Sequence, residues 1–248
     1  MTEPVLISAA NGVLRLTLSR PHKKNALTQV MYATLADALT AAGETADHRV
    51  VLIDAVGDDF CAGNDIADFV TLAQSEGSVE DLPVFRFLKA LTYCARPLVF
   101  AVQGQAVGVG TTMLLHGDLV YLSDEARLSL PFLKLGLTPE GGSSQLLPAR
   151  IGHARAFEWL AFGQPLGAAE ALGLGLCNAV TPRDDLLNRA QLAAERLAAL
   201  SPDALKQAKG LMRDPDGLWA HIVREGGIFR ARLNSAEAAQ AFAAFLKA

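Results

Sequence analysis

Apolar residues along this chain follow two rhythms. In 13–18 (VLRLTL) Leu14, Leu16 and Leu18 alternate with other residues and share one face of a predicted strand. From Thr28 the spacing turns helical: Met31, Leu35, Ala38 and Leu39 follow a threonine placed to cap them. The runs 50–55 (VVLIDA) and 97–102 (PLVFAV) are short and continuously apolar, as buried strands are. The second leads into a Gly-rich turn and a short apolar run at 111–116 (TTMLLH), and 119–123 and 126–131 predict two more strands. The order β-β-α, then β-α, then β-α-β-β predicts a layered α/β core.

After about residue 150 the pattern becomes almost purely helical. In 181–200, Thr181 is placed to cap and Pro182 to open a helix whose stripe is Leu186, Ala190, Ala193, Leu197 and Leu200. Helices are predicted over 201–212, 215–233 and 235–248, the last with Ala238, Phe242, Phe245 and Leu246 on one side. No flexible linker separates the halves, so the expected division is a core of 1–185 and a C-terminal helical region of 186–248. The Ala-rich and aromatic helix faces suit subunit contact.

Composition narrows the function classes. With 248 residues, 51% hydrophobic and 19% charged, the chain suits one large domain or a domain with an appendage. A net charge of −4 does not favour nucleic acid or an anionic membrane as partner. The one local basic stretch, 20–25 (RPHKKN), reads as a solvated turn or as a contact for an anionic ligand. Cys61, Cys94 and Cys177 are odd in number and widely spaced, which fits neither a disulfide framework nor a zinc site; Cys61 is expected to be a small buried filler. The histidines form no HExxH pair, so no metal is expected. No apolar run reaches membrane-spanning length, MTEPVLIS does not read as a secretory leader and FLKA is not a peroxisomal address, so the expected location is the cytoplasm.

The candidate chemistry lies in two Gly turns. After the strand 50–55, FCAGNDIADF (60–69) makes a tight turn at Gly63 and begins an apolar-periodic run at Ile66, Phe69 and Val70. The second turn is QGQAVGVGTTMLL (103–115), where Met113 stands in place of the third glycine of a dinucleotide fingerprint. No phosphate-binding P-loop or GxSxG elbow occurs. A peptide N–H just after such a turn has no partner within its helix and sits at the positive end of the dipole. Two converging on one point make an oxyanion hole; glycine at such places also serves turn geometry alone.

Five segments carry a more specific signal: SRPHKKNALT, DFCAGNDI, AVQGQAVGVG, LPFLKLGLTPEGGSSQLLPARIG and AAEALGLGLCNAV. In order and spacing, over about 10–185, they resemble the enoyl-CoA hydratase/isomerase (crotonase) family. The resemblance implies a spiral of β-β-α turns, a C-terminal helical trimerisation region, and assembly as a homotrimer or a dimer of trimers. It implies an acyl-CoA thioester ligand and no cofactor beyond the coenzyme A of the substrate. By motif position, Asn64 and Val109 are the oxyanion-hole donors; Val109 stands where the family has the middle glycine of a run, a mild change because a backbone N–H acts. Ligand contacts are implied for Lys24, Ala26, Ala62, Asp65, Ile66, Val107, Gly110 and Phe132.

The family's hydratases use two glutamates, and at those positions this chain has Thr112 and Phe132. Hydration needs groups to activate water and to handle the α-proton, and neither side chain can do so. Glu140 of TPEGGSS remains, at the motif position where the similar peroxisomal-type Δ3,Δ2-enoyl-CoA isomerases carry their base. One base suffices to take a proton from C2 and return it to C4, converting 3-enoyl-CoA to 2-enoyl-CoA. Phe132, Leu133, Leu135 and Leu137 are expected to exclude water and raise the pKa of Glu140. Three other readings stay open: a first-turn helix glutamate, a hydratase or related lyase or hydrolase using Glu140 alone, and a non-catalytic binding scaffold. Asp65 reads as a helix cap rather than an acid catalyst, and Trp159 and Trp219 as packing residues rather than ligand-stacking ones.

Overall fold

A parallel sheet carries the molecule, and its connections bring the two Gly turns together. The computed structural model describes residues 3–65 and 77–245. Ile66, Phe69, Val70 and Leu246 lie outside the described residues.

The main sheet runs in the spatial order β1 (Val5–Ala10), β2 (Val13–Leu18), β3 (Val50–Ala55), β4 (Leu98–Val102), β6 (Leu119–Ser123), β9 (Ala179–Thr181). Only β1 is antiparallel to its neighbour, across a tight turn. The other pairs are parallel, which demands a crossover between them. Between β2 and β3 that crossover is α1 (Gln29–Glu44); between β3 and β4 it includes α2 (Pro83–Tyr93). The expected cap holds: the Thr28 hydroxyl accepts the N–H of Met31. β5 (Gln105–Val107), β7 (Arg127–Ser129) and β8 (Leu166–Gly167) form a second, smaller sheet.

Both faces of the main sheet are covered. On one, Leu16, Leu18, Ile53 and Phe100 belong to the same buried cluster as Met31 and Leu35 of α1 and Phe87 and Leu88 of α2. On the other, Val13, Val50, Leu52 and Val99 meet Leu186, Ala190, Ala194 and Ala198 of α7 (Arg183–Ala198). Leu14, Leu16 and Leu18 share a face as expected, and α7 buries the other face as well. Arg15 on that strand pairs with Asp54 at 2.5 Å, and Thr17 donates to the same carboxylate at 2.6 Å. The cap of α7 also moves by one residue: Thr181 ends β9 and Pro182 is the N-cap.

The spiral is visible in two isolated bridges. Leu27 pairs with Asn64, and Cys61 with Ala106, all in parallel. Three successive turns of chain, near residues 27, 63 and 107, therefore lie side by side. The short helix α3 (Val109–Thr112) follows the third. The remaining helices are α4 (Ser143–Ile151), α5 (His153–Phe162), α6 (Ala168–Gly173), α8 (Pro202–Leu211), α9 (Pro215–Leu233) and α10 (Ala236–Phe245). Trp159 and Trp219 are packing residues: the indole N–H of Trp159 donates to the Gln164 carbonyl, and Lys89 lies over the Trp219 ring. Among the described residues no helix is long and apolar enough to cross a membrane.

Candidate active site

Glycine makes the meeting of the two turns possible. Gly63 has φ +95°, and a Cβ there would stand 3.0 Å from the Val107 carbonyl oxygen. A Cβ on Gly110 would come within 2.6 Å of the Cys61 carbonyl oxygen, closer than real Cβ atoms pack. Gly108 has φ 55° and ψ −119°, a conformation only glycine adopts readily. Val109, by contrast, is the first residue of α3 and is not in the left-handed region, so a β-branched side chain is accommodated.

Backbone pairing decides where the amides point. Leu27 donates to the Gly63 carbonyl at 2.8 Å and accepts from the Asp65 N–H at 2.9 Å. That uses the groups on either side of Asn64 and turns the Asn64 N–H away from Leu27, towards the side where Cys61 pairs with the second turn. The Asn64 side chain is held by the Tyr32 hydroxyl, which donates to its Oδ1 at 2.5 Å. In α3 the N–H groups of Thr111 and Thr112 both donate to the Gly108 carbonyl. The Val109 N–H precedes them in the first helical turn, where no intrahelical acceptor exists.

Both residues line a cavity of about 410 Å³. Ala26, Ala62, Asp65, Val107 and Phe132 line it too, as the motif positions imply. Apolar walls come from Leu135, Leu137, Phe229 and Phe242, with the rings of Phe132 and Phe229 edge to face at 6.4 Å. Of the other three expected residues, two are placed elsewhere. Gly110 is buried against Cys61 and serves the turn contact. Ile66 is outside the described residues. Lys24 pairs with Asp59 at 3.4 Å, and it is Lys23 that borders the cavity. Arg20 ties its loop to the first turn, donating to Asp65 at 2.6 Å.

Sequence reasoning missed Lys23, Phe229 and Phe242 as wall residues. Adjacent lysines are indistinguishable by type, and here the left-handed conformation of Lys24 sets which of them faces the cavity. The two phenylalanines sit on C-terminal helices whose apolar stripes gave no indication of what they would face.

Glu140 is buried, and its Oε1 accepts the Thr112 hydroxyl at 2.7 Å. It does not begin a helix, so the first-turn reading fails. Gly142 caps α4, and Glu140 sits two residues before it in a turn closed by Ser143 N–H to the Glu140 carbonyl. Gly141 at φ +67° and Gly142 at φ +81° supply the two left-handed positions, as in a type I′ turn. A Cβ on Gly141 would meet the Thr112 hydroxyl at 2.9 Å, so Gly141 is what lets this turn press against α3. His116, just beyond α3, meets the Gly141 carbonyl through Nε2 at 2.9 Å.

Burial pushes the Glu140 carboxyl up to about 7; the Thr112 hydrogen bond opposes this and the Glu225 charge adds to it. Thr112 and the Glu225 charge act on it directly, and the upward shift is in the direction expected from sequence. Glu140 does not itself line the cavity. It lies three residues past Leu137, which does, and against Thr112, three residues past Val109, which also does. Cys61 is inert by contrast: its burial pushes the thiol up to about 12.

The comparisons with known proteins agree with this geometry. The family profile described as enoyl-CoA hydratase/isomerase matches residues 8–246. The chain belongs to the enoyl-CoA hydratase/isomerase family. It is 34% identical over 247 residues to the rat enoyl-CoA delta isomerase 2, covering 98% of this chain and 63% of that protein. The chain thus spans just under two thirds of that relative's length. It is 35% identical over 204 residues to the 1,2-epoxyphenylacetyl-CoA isomerase of Escherichia coli, covering 80% and 77% of the two chains. A crystal structure of an enoyl-CoA hydratase/isomerase from Pseudoalteromonas atlantica superposes with a TM-score of 0.93 at 43% identity, covering 99% and 97%. The crotonase fold and the family membership expected from the five motifs both hold.

Proposed function

We propose that this family member isomerises 3-enoyl-CoA to 2-enoyl-CoA with Glu140 as its only base. The observation that carries the reading is the buried Glu140 carboxyl, hydrogen-bonded to Thr112 on the helix whose first N–H belongs to Val109. The thioester oxygen receives the N–H groups of Asn64 and Val109. Charge that develops on this oxygen as C2 loses its proton is stabilised there; removing one such donor typically costs about 2.7–4 kcal/mol. Glu140, held against Thr112 on the helix that starts at Val109, takes the C2 proton and returns it to C4. A carboxyl with a pKa of about 7 is matched to both halves of that transfer near neutral pH.

Thr112 has no proton-transfer role of its own in this reading; its hydroxyl holds Glu140. Phe132 closes the wall where a second carboxylate would have held water, which favours proton return over hydration. The isomerase relative supports the same choice. Lys23 at the mouth suits the phosphates of coenzyme A, and no further cofactor enters the reaction. For assembly we propose a homotrimer or a dimer of trimers. Phe157, Phe162, Leu211 and Met212 leave apolar surface open on the single chain.

The test is a panel of enoyl-CoA substrates of different length and double-bond position, read by mass spectrometry and ultraviolet absorbance. Isomerisation conserves mass and creates the absorbing 2-enoyl thioester. A product heavier by one water, formed faster than the isomer, would replace this reading with hydration by a water held on Glu140 alone. Failure to bind acetoacetyl-CoA at millimolar concentration would leave a non-catalytic scaffold.

A further inference from the structure

One buried carboxylate has no part in the chemistry above. Glu225, within α9, is only 6% exposed. Its Oε2 accepts the Gly142 N–H at 2.6 Å; its Oε1 accepts the Ser144 N–H at 2.9 Å and the Ser144 hydroxyl at 2.5 Å. All three bonds are accepted by the carboxyl oxygens, which ties this side chain to the turn at three points. One helical turn earlier, His221 Nε2 stands 3.4 Å from Glu225 Oε1 and 2.8 Å from the Ser144 oxygen. All three donors belong to the segment that follows directly on Glu140.

We infer that Glu225 is a positioning residue for the reaction: from α9 it clamps the Gly142–Ser144 turn, and so fixes where the Glu140 carboxylate points and how readily it takes a proton. The inference rests on the reading of Glu140 as base. Two left-handed glycines follow Glu140, and such a turn has little stiffness of its own. Something outside it must hold it. Glu225 holds one side. His116 holds the other: burial keeps its ring neutral, with a pKa pushed down to about 4, so Nε2 carries the proton and donates to the Gly141 carbonyl.

The charged group that faces Glu140 is therefore Glu225; His221 stands behind Glu225 on α9, and His116 meets the turn at Gly141 with Arg213, Arg150 and Lys209 around it. Of these, Glu225 is the one whose charge repels a second negative charge on Glu140. The same helix carries Phe229 into the cavity wall. Helix α9 thus joins the wall of the acyl pocket to the base.

The experiment is Glu225→Gln in the full chain, assayed with 3-enoyl-CoA across pH beside Glu140→Gln. Glutamine keeps the size but has one acceptor oxygen and sets an NH2 against N–H donors. kcat should fall by about tenfold or more while KM stays within about threefold. The acid limb of kcat should move to lower pH by roughly half a unit or more, because a like charge is gone. A drop in thermal stability alone, with kcat or the acid limb as in wild type, overturns the inference. Ser144→Ala covers the case in which Glu225→Gln does not fold: it removes one donor but keeps the charge and both N–H bonds. Its kcat should fall by about threefold or more with no downward move of the acid limb; an unchanged kcat, or a limb lowered as in Glu225→Gln, overturns the inference. Full turnover in Glu140→Gln would instead remove the base itself. An inactive Glu140→Gln beside a wild-type-like Glu225→Gln would remove the positioning role alone.

Discussion

The Thr112 hydroxyl donates to Glu140 across 2.7 Å inside the protein, at a position where the resemblance to the family's hydratases implies a glutamate. A donor has taken the place of a second acid. It stabilises the ionised form of Glu140, against the larger push of burial in the other direction.

Thr112→Val keeps the shape and removes that donor. The acid limb of kcat, expected near pH 7 in wild type because Glu140 titrates at about 7, should move to higher pH in the variant. Stability should fall by about 1–3 kcal/mol above that limb, where the carboxylate is charged and short of a partner. A pH–rate profile and thermal melts at two pH values check both.

Gly110→Ala tests the contact between the two turns. The new Cβ would stand 2.6 Å from the Cys61 carbonyl oxygen and 2.9 Å from the Cys61 Cβ, neither of which can easily give way. The Asn64 and Val109 amides should separate, with a loss in kcat/KM of about a hundredfold or more, as for misplacements on the order of an ångström. Gly173→Ala is the control: nothing stands within 4 Å of its Cβ position. It should leave kcat/KM within about twofold.

The turns of this site were legible in the sequence, because glycine placement is local information, while the roles of Asn64, Val109 and Glu140 came only from the family resemblance. The turns at Gly63 and Gly108 follow strands whose apolar runs are unmistakable, and EGGS can hardly do anything but turn. Strands β2, β3, β4, β6 and β7 also followed from spacing, and 215–233 is α9 to the residue, whereas β1, β5, β8, β9 and the helices α2 and α4 were not foreseen. What stayed hidden depends on tertiary contact. That α7 would bury the second face of β2 cannot be read from β2. That Glu225 would reach Gly142 joins residues 83 positions apart. Its only local signal, a charged residue on the apolar side of a helix between Ile222 and Phe229, was available and went unused.

Burial of Glu140 has a consequence for stability as well as rate. The folded chain keeps the proton up to about pH 7, whereas the unfolded chain releases it near the ordinary value of 4.5. Between those values the folded state binds more protons, so this group's contribution to stability falls as pH rises and stays low above pH 7. Glu140→Gln carries no charge and escapes that penalty. At pH 8 it should melt about 5 °C or more above wild type, and the gap should close below pH 4.5. Calorimetry at pH 8 and pH 4.5 reads both ends.

The assembly proposal is checked by mass. Sedimentation at micromolar concentration should give three or six times the 26.3 kDa of the chain. A species of single-chain mass would contradict it.

The central claim is that Glu140 moves the proton, and kcat of Glu140→Gln with 3-enoyl-CoA tests it most directly. Glutamine preserves the bond from Thr112 and the size of the side chain but cannot act as a base. General-base catalysis is worth about 10²–10⁴-fold, so kcat should fall at least about a hundredfold while acetoacetyl-CoA still binds. Turnover within about threefold of wild type would contradict the claim.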